Sequence, residues 1–317
     1  MNISTIQSDW FGHVAYELQS NDFRIICVPS LGGKLVSIFD KKKRFEWLEQ
    51  PVNPPHNQIP YGADFITYSM FGWDEMFPTI DICTYPIKGP YFGNQMPEHG
   101  DAWTLNWEIV QHKDNFLKMS TFGKSLPYQF EKELFFKTDD TITMHYQVTN
   151  IGTEGFYYLW SAHPLFLCKS GMKIILPQDV SELINVKQTG KWGEIGNKFN
   201  WPTTRALEGF TWQLDQVGPP TLHDFRKFYI SPKKTIYWAS LFYPEAGNWI
   251  RMNWDAKKLP YFGLWIDEGY YTAQSLIAFE PTTSYFDALD RAICNQKTPF
   301  LEKGERFTWD IELTIGS

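Results

Sequence analysis

The sequence predicts an all-β chain folded as a large antiparallel β-sandwich, and three observations predict it. Strand-preferring aromatics are abundant: 25 Phe, 16 Tyr and 14 Trp make up 17% of the 317 residues, while 22 Gly and 20 Pro interrupt the chain at short intervals. Apolar and polar residues alternate in one segment after another, the two-residue period of a strand with one buried face. No long stretch carries the 3.6-residue period of an amphipathic helix. Neither a linker nor an internal repeat divides the chain, so residues 1–317 read as one continuous domain.

In chain order, Val14 to Leu18, Phe23 to Val28, Leu35 to Phe39 and Phe45 to Leu48 read as strands of an antiparallel meander, separated by the turn residues Ser20, Asn21, Asp22 and Leu31, Gly32, Gly33. The basic run Lys41, Lys42, Lys43, Arg44 is broken at once by Phe45, Glu46 and Trp47 and reads as a hairpin turn. Residues 50 to 62, rich in Pro, Asn and His, are expected to be irregular. The interval from Phe71 to Pro78 holds Trp73, Asp74, Glu75 and Phe77 and reads as a site-lining loop, because acids accept hydrogen bonds from hydroxyls while aromatic faces stack on apolar ones. At His99-Gly100 the glycine permits a sharp turn that presents the imidazole.

After that turn, Trp103, Leu105, Trp107 and Ile109 alternate with Thr104, Asn106 and Glu108 as a half-buried strand, as do Ile142, Met144, Tyr146 and Val148 with Thr143, His145 and Gln147. The polar face thus carries His145, in solvent or in a groove. From Leu159 to Phe166, a histidine at 163 lies between an aromatic run and Pro164, which must end regular pairing. A proton-transfer group would be placed to reach a cleft there, with Trp160 and Phe166 as dry flanks. Residues 177 to 220 have weak periodicity and are expected to be irregular. Strands resume at Ile236 to Phe242, Trp249 to Trp254, Phe262 to Ile266 and Ser275 to Phe279, a short helix is expected from Asp287 to Ile293, and Phe307 to Ile315 alternate as a last strand. His13, His56 and His112, in turn-rich or polar contexts, are expected at the surface.

A net charge of −7, with no basic stripe, argues against nucleic acid. Cys27, Cys83, Cys168 and Cys294 are widely spaced, which signals neither a zinc site nor a disulfide framework, and no span approaches the ~20 apolar residues of a transmembrane helix. A cytoplasmic protein without membrane or nucleic-acid partners is expected, as a monomer or weak homodimer.

Three stretches occur in a set order: His99-Gly100, Trp160-Ser161-Ala162-His163-Pro164, and Phe279-Glu280-Pro281-Thr282-Thr283. With Phe262-Gly263-Leu264-Trp265 before the last of them and Leu301-Glu302-Lys303-Gly304-Glu305 after it, they resemble the aldose 1-epimerase (galactose mutarotase-like) superfamily along nearly the whole chain. The resemblance implies the family's β-supersandwich, sugar bound on a concave sheet, and interconversion of α and β anomers without metal or cofactor. By the match, Glu280 is the base and His163 the acid, with His99 hydrogen-bonding the sugar. Asp101-Ala102-Trp103 stands where hexose-6-phosphate mutarotases have Phe-Ala-Arg, so an arginine used near phosphate is missing, and Leu165 replaces the family's Tyr after His163-Pro164.

The family's sugar-binding acid has no clear match; Asp224 is out of register, and Arg226 could take its place. A free, unphosphorylated sugar is therefore the expected substrate, unless Arg205, Arg226 and Arg251 assemble a cationic pocket. The alternatives are a non-catalytic carbohydrate-binding protein on the same fold, a hexose-6-phosphate mutarotase, and a lyase for uronic polysaccharides, the last disfavoured by the acidic composition.

Overall fold

The computed structural model describes residues 3–189 and 191–316 and is built almost wholly from antiparallel strands. Among the described residues the larger sheet has thirteen strands and the smaller main sheet eight. The larger runs from Ser4–Trp10 through His13–Gln19, Phe23–Val28, Lys34–Asp40, Trp73–Met76, Ser161–Pro164, Ser275–Thr282, Tyr261–Glu268 and Asp224–Ile230 to Glu182–Asn185 and Lys198–Asn200. Its second to fourth strands, with the short Phe45–Glu46 paired to Lys34–Asp40, form the expected meander, an unexpected strand Ser4–Trp10 precedes them, and its middle is assembled from segments far apart in sequence.

Alternation explains the core. Phe130, Leu134 and Phe136 on Tyr128–Thr138, Ile142, Met144, Tyr146 and Val148 on Thr141–Asn150, and Trp309, Ile311, Leu313 and Ile315 on Arg306–Gly316 all turn one face inward. They meet Ile277, Phe279, Phe262, Leu264 and Ile266 from the larger sheet. That sheet also carries a second apolar layer on its other face, where Leu276, Ala278, Trp265, Leu165, Phe65, Phe71 and Trp103 pack together. Covered on both sides, Ser275–Thr282 is buried at every residue.

Several expected elements differ. Trp73–Met76 is not a loop but a fully buried strand. A strand does not begin at Trp103: Ala102–Thr104 is a 3-10 turn and pairing starts at Glu108–Lys113. The tryptophans there are tied to the turn, Trp103 Nε1 donating to the Glu98 carbonyl and Trp107 Nε1 to the Ala102 carbonyl, both at 3.0 Å. Residues 177 to 220, expected to be irregular, contribute the short strands Glu182–Asn185, Lys198–Asn200, Thr203–Arg205 and Thr211–Gln213. His13 is buried, its ring nitrogens 2.8 Å from Ser30 Oγ and from the Pro55 carbonyl, whereas His56 and His112 are exposed. The expected short helix is present as Leu289–Cys294.

Candidate active site

His163 lies in Ser161–Pro164, paired opposite Asp74 on one side, while Ser161 pairs with Thr282 on the other. Proline closes the strand, as its missing N–H requires. Alternation along Ser275–Thr282 turns Ile277 and Phe279 into the core and leaves Glu280 on the other face. Gly263 sits directly across from Glu280 on the neighbouring strand, and a Cβ there would lie 3.0 Å from Glu280 Oε2. The glycine thus leaves the carboxylate its space. His99 is held at φ +57 by the following Gly100, where a Cβ would lie 2.0 Å from the Phe77 carbonyl oxygen.

These three residues converge. His163 Nε2 lies 4.0 Å from Glu280 Oε1, and the rings of His99 and His163 are 5.0 Å apart. The helix Phe65–Ser69, capped by Asp64 through the Thr67 amide, covers them with Phe65, whose ring centre is 3.9 Å from His99 and 5.1 Å from His163. Trp265 forms another wall, 6.1 Å from His163. The cleft is completed by Phe225, Tyr271, Asp81 and Lys187.

A lysine the sequence reading missed anchors the floor. Lys227 Nζ lies 2.7 Å from Glu280 Oε2 and 3.1 Å from Asp287 Oδ1, and Tyr229 donates its hydroxyl hydrogen to the same Asp287 oxygen at 2.9 Å. All four side chains are buried. Phe225, Lys227 and Tyr229 share the cleft face of Asp224–Ile230, so the signal was a lysine alternating with aromatics in a strand too buried for an unpaired charge. Lys187 at the cleft edge is likewise paired, 2.6 Å from Asp81 Oδ1.

Burial pushes the Glu280 carboxyl up to about 7, with Asp287 adding to the rise and Lys227 opposing it. Burial also pulls His163 well below the usual imidazole range, helped by Lys227 and Lys34, and His99 follows for the same reason with His163 as a further cause. For Lys227 burial alone would lower the ammonium pKa, but Asp287 and Glu280 more than offset it and the pKa rises. Glu280 Oε1 and the Nδ1 atoms of both histidines are buried without a hydrogen-bond partner among the described residues. Buried polar atoms are ordinarily satisfied, so three such atoms around one cleft suit a polar ligand.

The other expected site residues lie elsewhere. Trp73 points into the core, where its ring meets Phe166, and cannot stack on a ligand in the cleft. Asp74 forms a buried ion pair with Lys34, which also donates to Ser69 Oγ at 2.7 Å. Glu75 spans the two sheets, accepting from Lys132 Nζ and the Tyr146 hydroxyl at 2.8 Å each and from Trp160 Nε1 at 3.1 Å. Buried positions in a central strand leave these acids no path to the cleft; they compensate buried lysines instead.

Arg226 faces away from the cleft, donating to Asp224 at 2.6 Å and to Glu268 at 2.7 Å beneath Trp192 and Trp212. Strand alternation reverses its direction relative to Phe225 and Lys227. Asp224 opens instead onto an adjacent cavity. The possible arginine cluster does not form: Arg205 donates to the Gly209 carbonyl and Arg251 lies over Trp238 and Trp249. Asp101, where a phenylalanine was the family expectation, is buried and accepts from the Lys124 and Ser125 amides at 2.8 Å and from Ser125 Oγ at 2.9 Å, a structural anchor. His145 lies outside the cleft, partly exposed, and bonds Asp310 Oδ1 at 2.7 Å.

Residues 15–195, more than half of the chain, match the family model for aldose 1-epimerase. A protein of Escherichia coli (strain K12), the uncharacterized protein YphB, is 28% identical over 125 residues, 39% of each chain. Among solved structures, the Slr1438 protein of Synechocystis sp. PCC 6803 superposes with a TM-score of 0.71 at 14% identity, covering 98% of this chain and 99% of that one. A galactose mutarotase-like protein from Lactobacillus casei ATCC 334 gives 0.70 at 14% identity, over 95% of this chain and 100% of its own. One from Clostridium acetobutylicum gives 0.69 at 13% identity, over 100% and 99%. These likenesses establish a shared galactose mutarotase-like fold. No helix among the described residues is long and apolar enough to cross a membrane.

Proposed function

Because the chain belongs to the aldose 1-epimerase family, we propose that it interconverts the α and β anomers of a free, uncharged sugar, with Glu280 and His163 carrying the proton. The observation that supports this most directly is the 4.0 Å approach of Glu280 Oε1, buried behind the floor, to Nε2 of His163, which lines the cleft. Ring opening takes a proton from the anomeric hydroxyl and delivers one to the ring oxygen, two atoms bonded to the same carbon. Two proton carriers a few ångströms apart suit them, and reclosure on the other face exchanges their roles. In one sense Glu280 is base and His163 acid, in the other the reverse, and each sense needs one proton shared by the pair. Burial raises the carboxyl and lowers the imidazole, which favours Glu280 over His163 as the carrier of that proton. His99 at the rim is placed to hydrogen-bond a sugar hydroxyl, and the faces of Phe65 and Trp265 to pack on the apolar C–H face of the ring.

A pH dependence follows. The one-proton state is lost as pH rises through the value of the higher-titrating partner, Glu280 at about 7, and is doubly protonated only below the depressed value of His163. The kcat/KM for mutarotation should therefore fall above about pH 7. A profile that stays flat from pH 6 to 9 would show that this pair does not carry the proton.

The charge balance of the cleft favours an uncharged sugar. Lys227 and Lys187 are each already paired with carboxylates, and among the described residues no arginine lines the walls. Nothing is left to meet a dianionic phosphate. Exchange NMR on glucose, galactose and their 6-phosphates should give kcat/KM for a neutral sugar at least equal to that for its phosphate. A tenfold preference for a phosphate, ~1.4 kcal/mol of transition-state binding, would overturn the assignment.

A further inference from the structure

Beneath the cleft, Glu280 and Asp287 share one buried cation, Lys227, whose Nζ lies 2.7 Å from Glu280 Oε2 and 3.1 Å from Asp287 Oδ1. We propose that Lys227 and Asp287 are positioning residues of the proton transfer: together they make Glu280, and not Asp287, the carboxyl that gives and takes the proton, and they fix the pH range in which it does so. The inference rests on the mutarotase reading for the proton's destination and goes beyond it in naming the groups that control its carrier.

The three charges do not balance. Two ionised carboxylates around one ammonium leave one excess negative charge, and the side chains of Glu280, Lys227 and Asp287 are 0%, 4% and 3% exposed. At that depth an uncompensated charge is relieved by taking up a proton. The two other buried lysines described above carry no such surplus, since Lys34 meets Asp74 and Lys132 meets Glu75.

The groups on neighbouring elements do not cancel it either. Lys187 is 2.6 Å from Asp81 Oδ1 and already neutralised there, and Glu98 at the rim is a further acid, accepting from the Phe65 amide at 3.4 Å. His163 and His99 are held well below the usual imidazole range by burial, so neither brings a positive charge near neutral pH. Gly263, directly across from Glu280, has no side chain to contribute.

Hydrogen bonding selects which carboxyl takes the proton. Each keeps one oxygen without a partner among the described residues, Oε1 of Glu280 and Oδ2 of Asp287. Asp287 Oδ1, however, accepts from the Tyr229 hydroxyl at 2.9 Å as well as meeting Lys227, and a second donor favours the charged form. Asp287 therefore stays ionised and Glu280 carries the proton. Lys227 also orients the carrier: with Oε2 held by the ammonium, the free Oε1 is the oxygen 4.0 Å from His163 Nε2.

The two charges should act on Glu280 in opposite directions. Lys227→Met removes the attraction that favours the carboxylate, so Glu280 should keep its proton to higher pH. The alkaline limb of kcat/KM, at about pH 7 in the wild type, should move up by about one pH unit or more. Asp287→Asn removes a repulsion and leaves Lys227 to Glu280 alone, so the limb should move down by about as much.

Profiles of kcat/KM between about pH 5 and pH 10, by exchange NMR on the wild type and both variants, test this. Shifts of opposite sign uphold the proposal, because damaged packing lowers a rate without moving its limb in two directions. A limb that stays in place in both variants, or moves the same way in both, overturns it while the mutarotase reading stands. If Lys227→Met does not fold, Asp287→Asn decides alone: it keeps the shape and an acceptor for Tyr229, a downward shift upholds the proposal, and no shift overturns it. A wild-type profile without an alkaline limb defeats the proton pair itself. The NMR titration of the Glu280 carboxyl carbon, assigned by its absence from Glu280→Gln, then decides: opposite shifts in the two variants uphold the control of this carboxyl without the chemistry, and any other result overturns it.

Discussion

Glu280→Gln should lower the rate of anomer interconversion by about 100- to 10,000-fold, the usual cost of losing a positioned acid or base. The amide keeps the shape of the side chain and can neither take nor give the proton at about pH 7. Folding should be nearly unaffected, because Lys227 keeps Asp287 at 3.1 Å as its counter-ion and Gly263 still leaves space for an isosteric group. The measurement is exchange NMR on whichever sugar the wild type turns over, with a thermal melt as control. Full activity in a folded Glu280→Gln protein would remove Glu280 from the chemistry, and with it the reason for the buried pair. The limb of the pH profile above about 7 should disappear in the same variant, since the group that titrates there is gone.

Lys132→Met should destabilise the fold by ~3–5 kcal/mol, because it strands the Glu75 carboxylate between the two sheets without its cation. Lys132 Nζ also donates to the Gly33 carbonyl at 3.2 Å, so the lysine ties the eight-stranded sheet to the meander of the larger one. The double variant Lys132→Met, Glu75→Gln should recover part of the loss: it removes the unpaired charge and keeps an acceptor for the Tyr146 hydroxyl. Urea titration of the two single variants and the double variant gives the coupling. A loss below about 1 kcal/mol in Lys132→Met would mean that water reaches Glu75 and that the ion pair contributes little.

Both results concern buried charge, which is where the sequence was hardest to read. Asp74 and Glu75 stand in a sequence that looks like a binding loop: acids among aromatics between a glycine and a proline. Their lysine partners are 40 and 57 residues away. Without the pairing of Trp73–Met76 against Ser161–Pro164 there is no way to tell an acid that meets a ligand from one that neutralises a buried lysine. Asp224 and Arg226 were placed at the site for a related reason, since the one-residue difference that turns Lys227 into the cleft and Arg226 out of it depends on which face of that strand is concave.

The sequence by itself determined the fold class, the meander, the late strands, and the ordered set His99, His163 and Glu280. Periodicity and turn residues act locally, and a family's motif order survives in the linear chain. Only the tertiary structure decided that these three meet in one cleft, that Lys227 and Asp287 hold the floor beneath Glu280, and that Trp73, Asp74 and Glu75 belong to the core. The physical reason is that a side chain's role follows from its desolvation and its charge partners, and across these sheets those are set by strands more than 100 residues apart in the chain, as Ser161 and Pro281 are.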